Sequence, residues 1–168
     1  GRLIVVGGPP GRLELAEKMG ADVTIDIGEI NDPEERTKIV LENTPRGRGA
    51  NVVFECAGCL SAIPEGLGYV RHSGTFVEMG QFVDTGTLDF NPNRLLMRKN
   101  LHLEAIWGSH PEHFVRGLPI LKKKNEFPFA EMVSHTLPLD RVAEGFNALH
   151  NGYRLDGKDA IKIAVKGE

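Results

Sequence analysis

The stretch Asn51-Val52-Val53-Phe54-Glu55-Cys56-Ala57-Gly58 restricts the fold more than any other part of the chain. Val52, Val53 and Phe54 form an apolar run too short for a helix, introduced by Arg46-Gly47-Arg48-Gly49 and closed by Gly58. A β-branched and aromatic run between turn signals predicts a strand buried on both faces, as in parallel sheets. Ligands of such sheets lie beyond the carboxyl ends of the strands, where small residues allow close approach. Cys56-Ala57-Gly58 stands at that end.

Strand and helix signals alternate around this stretch. Arg2–Val6 reads as a strand ending in Gly7-Gly8-Pro9-Pro10-Gly11. A helix follows, with Leu13, Leu15, Ala16 and Met19 on one face and Gly20 as its stop. Val23–Ile27 alternates as a strand, and Asp32-Pro33-Glu34-Glu35 opens a helix with an acidic N-cap and proline in its first position. Ser61–Val70 predicts a helix despite Pro64, Gly66 and Gly68; Thr75–Met79 predicts a strand closed by Gly80, and Leu101–Trp107 another. Ser109-His110-Pro111-Glu112 has the capping-box spacing and opens a helix reaching about Lys123. Pro138-Leu139-Asp140 opens the last helix, and Ala160–Val165 closes the chain as a strand. The fold class expected is α/β, a doubly wound parallel sheet, Rossmann-like and incomplete.

A chain of 168 residues supports one sizeable core. Its net charge of −3 gives no reason to expect nucleic acid or an acidic membrane surface as partner. No apolar run approaches the roughly 20 residues of a membrane span and no signal peptide opens the chain, so a cytoplasmic location is the default. Cys56-x-x-Cys59 has no second such pair to complete a four-ligand metal site, and strand-end cysteines serve as small buried apolar residues. That pair is assigned to packing. His110-x-x-His113 has no third ligand near it in sequence and is assigned no metal. Gly7-Gly8-Pro9-Pro10-Gly11 fits neither the P-loop nor the dinucleotide fingerprint, and its prolines remove backbone donors that a phosphate would need.

Several segments taken together resemble the zinc-type medium-chain alcohol dehydrogenases. Val5–Ala16 with Met19-Gly20-Ala21-Asp22 is similar to their second Rossmann strand and helix, and Arg48–Gly58 to their fourth strand. Gly74–Gly80 resembles the fifth strand, Lys99–Ser109 the sixth, and Val133–Asp140 with Ala143 and Phe146 the return toward the catalytic domain. The resemblance implies a partial dinucleotide-binding domain over residues 1–130 and a return segment over 131–168. It also implies NAD or NADP as cofactor, a small alcohol substrate, a homo-oligomer, and zinc held only in a catalytic domain that would precede Gly1. Cys56, Ala57 and Gly58 would border adenosine and its linking ribose. Met79, Gly80 and Gln81, with Ala105 and Trp107, would offer backbone groups to the nicotinamide carboxamide, and Trp107 would pack in the core. Lys162, in the last strand, would lie near the pyrophosphate.

By this resemblance Gly7 stands where NAD-preferring members carry an acidic residue for the ribose, so NADP becomes admissible, and Gly8 beside it would also line the cofactor site. Arg12, one turn further, would meet a ribose or a phosphate. The chain alone is expected to be catalytically inert. Two rivals are a zinc-free quinone reductase of the same superfamily and a nucleotide-binding module without chemistry. The Rossmann order 3-2-1-4-5-6 would place an absent first strand between Leu3–Val6 and Val52–Cys56. Either those two strands close on each other or a strand from another polypeptide fills the place.

Overall fold

A computed structural model describes residues 1–167. In chain order the main elements are β1 (Ile4–Gly7), α1 (Pro10–Lys18), β2 (Val23–Asp26), α2 (Pro33–Glu42), β3 (Ala50–Glu55), α3 (Ala62–Tyr69), β4 (Val70–Glu78) and α4 (Pro92–Leu95). They continue as β5 (His102–Ala105), α5 (Pro111–Leu121), β6 (His135–Pro138), α6 (Val142–His150), β7 (Arg154–Leu155), β8 (Lys158–Asp159) and β9 (Ile163–Lys166). They form two compact units, one of Gly1–Glu29 with the chain from His110 onward, the other of Ile30–Ser109. No described helix is long and apolar enough to cross a membrane.

In the first unit β1 and β2 run parallel, with Ile4 opposite Val23 and Gly7 opposite Asp26. Helix α1 joins them and buries Leu13 and Leu15. Its N-cap residue, Pro9, offers no side-chain acceptor, and a distant carboxylate does so instead: Gly11 N–H donates to Asp159 Oδ2 at 2.8 Å. Strands β6 and β9 are parallel, β7 and β8 form a short antiparallel hairpin, and Leu137, Ala148, Leu155 and Ala160 make the core beside them. Helix α5 starts one residue later than its sequence predicts. His110 rather than Ser109 is the N-cap, and its N–H donates to Nδ1 of His113 at 3.1 Å.

In the second unit β3, β4 and β5 form a parallel sheet in that order, with Val53, Phe76 and Leu103 in register. Leu67, Val70 and Phe76 form its core, with Val53, Ile63, Leu95, Leu96 and Leu101 packed against them. The expectation that β3 is buried on both faces fails. Val53 and Glu55 face the core, whereas Val52 and Phe54 point the other way and Phe54 is 62% exposed. A strand presents alternate residues to opposite faces, and the unit's core cluster gathers on one of them. Among the described residues β1 makes its ladder with β2 alone and β3 with β4 alone. The direct closure entertained from the sequence does not occur there.

Candidate functional site

The carboxyl ends of β3 and β4 bring together two glycine turns. Parallel pairing sets Glu55 beside Glu78, with Ala105 of β5 next in the row. After each glutamate the chain leaves the sheet, and each side chain folds back onto its own turn. Glu55 Oε1 accepts N–H bonds from Ala57 at 2.7 Å and Gly58 at 3.0 Å. Glu78 Oε1 accepts from Gly80 and Gln81, both at 3.1 Å. The turns then touch through backbone. Gly58 has φ +71°, and a Cβ there would stand 2.6 Å from the carbonyl oxygen of Gly80. A Cβ on Gly80 would in turn collide with Glu55 Oε2. Only glycine permits this approach.

Of the residues expected here, Cys56, Ala57, Gly58, Met79, Gly80 and Gln81 are assembled by these two turns, and Ala105 ends the neighbouring strand. Gln81 Oε1 accepts from Thr85 at 3.1 Å, but its Nε2 is buried without a partner among the described residues. Cys56 and Cys59 are free and exposed, which corrects their assignment to buried packing. Glu55 turns inward at 4% exposure, so strand alternation sends Cys56 outward. Partial burial raises the Cys56 thiol pKa, and the carboxylates of Glu55 and Glu78 raise it further. Trp107 is not a core residue either. It is 79% exposed and stacks on Phe82 with centroids 6.1 Å apart, because β5 has already ended at Ala105.

The first unit holds the other expected residues. Gly7 ends β1 opposite Asp26, and a Cβ on Gly7 would meet nothing within 4 Å. Beside it a groove of about 450 Å³ is lined by Gly8, Pro9, Asp26, Ile27, Gly28 and Tyr153, among others. Asp26 Oδ1 is held by Gly28 N–H at 2.7 Å. Arg12 is half-buried, its guanidinium 4.3 Å from the Tyr153 ring centroid, so it is not simply a solvated helix residue. Lys162 is exposed and precedes β9 rather than lying within it. Its carbonyl accepts Ser134 N–H at 2.9 Å, and the ladder with β6 begins one residue later, at Ile163. Because Asp159 occupies Gly11 N–H, the start of α1 is not a free phosphate cradle.

Sequence reasoning gave no role to the side chains of Glu55, Glu78, Asp26 or Tyr153. For the glutamates a signal existed: near the end of both predicted strands an acidic residue stands shortly before a glycine, as Glu55-Cys56-Ala57-Gly58 and Glu78-Met79-Gly80. Among the described residues no group of three or more His, Cys, Asp or Glu is placed to hold a metal ion, so they do not fit zinc.

Residues 2–123 match the family described as zinc-binding dehydrogenase. This chain belongs to that family. Its relatives include erythritol/L-threitol dehydrogenase of Mycolicibacterium smegmatis, 30% identical over 98% of the chain and 41% of the relative. Another is 5-exo-hydroxycamphor dehydrogenase of Pseudomonas putida, 28% identical over 89% of the chain and 41% of the relative. A crystal structure of an alcohol dehydrogenase from Thermotoga maritima superposes with TM-score 0.84 at 30% identity, over all of this chain and 44% of that one. The chain therefore spans well under half the length of these proteins, and the Rossmann-like α/β fold is the part it shares.

Proposed function

We propose that the chain is the cofactor-binding part of an NAD- or NADP-dependent alcohol or polyol dehydrogenase. The observation that carries this reading is the meeting of Ala57-Gly58 and Gly80-Gln81 at the ends of neighbouring parallel strands, with the buried Gln81 Nε2 left as an unused donor. Strand ends stripped of side chains suit a flat cofactor, and an orphaned amide donor suits its polar edge. The open space at Gly7 likewise accommodates a ribose. When bound, the nicotinamide supplies the hydride acceptor or donor.

This chain's residues bind and orient. Cys56, Ala57 and Gly58 border adenosine and its linking ribose. Backbone groups of Met79, Gly80, Gln81, Ala105 and Trp107 hold the carboxamide. Gly7, Gly8 and Arg12 serve the adenosine ribose, and Lys162 the pyrophosphate. Functionally, residues 1–130 are the dinucleotide-binding domain and 131–168 the segment leading back toward catalytic machinery. The names of the erythritol/threitol and alcohol dehydrogenase relatives support a small alcohol or polyol as substrate. A cytoplasmic homo-oligomer fits the absence of a long apolar helix among the described residues and the exposed edge of β5.

Calorimetric titration of the chain with NADH and NADPH tests the reading. Binding is expected to be no tighter than millimolar, because the site described offers the pyrophosphate no free helix N-terminus. Micromolar binding would show that residues of this chain hold the phosphates; no heat at any concentration for either nucleotide would contradict the reading.

A further inference from the structure

Glu55 and Glu78 end neighbouring strands beneath the two turns, and their second oxygens have no evident task. As direct partners in the parallel ladder, they leave the sheet on the same face, side by side. That face carries the core, since Val53 and Phe76 precede them by two residues on their strands. One oxygen of each carboxyl is occupied by the two N–H groups of its own turn. Oε2 of Glu55 and Oε2 of Glu78 are both buried and have no hydrogen-bond partner among the described residues. Two ionised carboxylates here would place like charges on directly paired residues, each with a buried acceptor that lacks a donor. One proton removes both faults, because it cancels a charge and supplies the missing donor.

We propose that Glu55 and Glu78 share one proton, and that this bridge sets the spacing of the Ala57-Gly58 and Gly80-Gln81 turns, making both glutamates positioning residues for the cofactor. The positioning role rests on the cofactor reading above; the bridge itself does not. Glu55 Oε2 lies against the Cα of Gly80, so a shift of its carboxyl moves the partner turn as well. Burial raises the Glu55 pKa, its bonds from Gly58 and Ala57 pull it back, and hydrogen bonding and charge from Glu78 raise it again, for a net rise. The neighbouring Cys56 thiol, though it points outward, feels both glutamates, and burial together with their charge raises its pKa; β5 contributes the uncharged Ala105. A carboxyl whose pKa rises on folding keeps its proton after the unfolded chain has lost it. Its stabilising share is complete below the ordinary value of 4.5, declines as pH climbs toward the raised value, and is gone above it.

The test combines infrared spectroscopy of the unmodified chain with amide exchange and NADH titration of Glu55→Gln, Glu78→Gln and the double variant. At about pH 6, where an ordinary glutamate is ionised, the wild type should show a protonated-carboxyl carbonyl stretch. Each single variant should abolish that signal and keep the Ala57, Gly58, Gly80 and Gln81 amides protected, because a glutamine Nε2 donates to the remaining carboxylate. The double variant sets two amide donors face to face, so one turn should lose protection by about tenfold or more, with NADH affinity falling alongside. A wild type without the protonated-carboxyl signal, which needs no variant to fold, overturns the proposal. So does a double variant as well protected as the singles. Protection that follows this pattern while NADH binds at no pH would uphold the bridge and overturn the cofactor reading, and with it the positioning role.

Discussion

Gly7 shows how much one missing side chain can decide. It closes β1 with open space before it, and on the proposed reading a carboxylate there would repel a 2′-phosphate. Asp26 stands opposite in the ladder, but one of its oxygens is already engaged by Gly28 N–H. Gly7→Asp should therefore raise the ratio of NADH to NADPH affinity by at least about tenfold, the scale of one unfavourable charge contact. An unchanged ratio in competition binding would show that Gly7 does not face the ribose. That Gly7 ends a strand was legible in the sequence, because it follows the β-branched run Ile4-Val5-Val6. Glu55 stands in the central motif, but its partner was not legible, since Glu78 meets it only through the parallel register. Cys56 was misplaced because strand alternation, rather than hydrophobicity, sets which way a strand-end side chain points, and Trp107 because β5 ends two residues before it, at Ala105.

Among the elements, α2 and α3 are braced by a contact that no local pattern announces. Arg36, 7% exposed, donates through Nε and a terminal nitrogen to the two oxygens of Glu65, both at 2.7 Å, and to the Ile30 carbonyl at 2.6 Å. Tyr69 donates its hydroxyl to the same Glu65. Burial alone would raise the Glu65 pKa, but the bonds from Arg36 and Tyr69 outweigh it and leave the pKa below 4.5. That contribution is present above the ordinary glutamate value and is lost as pH falls through the depressed one. Arg36→Met strands a buried carboxylate and should cost about 3–5 kcal/mol in chemical denaturation at neutral pH. The deficit should shrink on acidification, as Glu65 becomes protonated in the variant. A loss below about 1 kcal/mol would reduce the brace to a surface pair. Lys99 acts similarly, its ammonium reaching the carbonyls of Leu67, Gly68 and Val70 at 2.8–2.9 Å around the end of α3. Helix starts and strand runs were legible because caps and periodicity are local. These long-range ties, and the two-residue strands β7 and β8, carry no local signature.

For the whole molecule, the sequence supported the α/β class through its alternation of strands and helices, while pairing at the sheet edges was left open. The edges not used by the ladders of β1, β3 and β5 are places where another strand can add. Around them stand exposed apolar side chains, Phe54, Leu103 and Ile106 among them. The chain should self-associate in sedimentation at micromolar concentration; a single monomeric species with slow exchange along β3 would contradict that. The central claim is that the turns ending β3 and β4 receive a nicotinamide dinucleotide, and mapping backbone amide shifts during NADH titration tests it most directly. The account predicts that Ala57, Gly58, Gly80 and Gln81 move together, along with the Gln81 side-chain amide, while Arg154–Asp159 stays still. Shifts absent from both turns at millimolar NADH, or concentrated elsewhere in the chain, would contradict it.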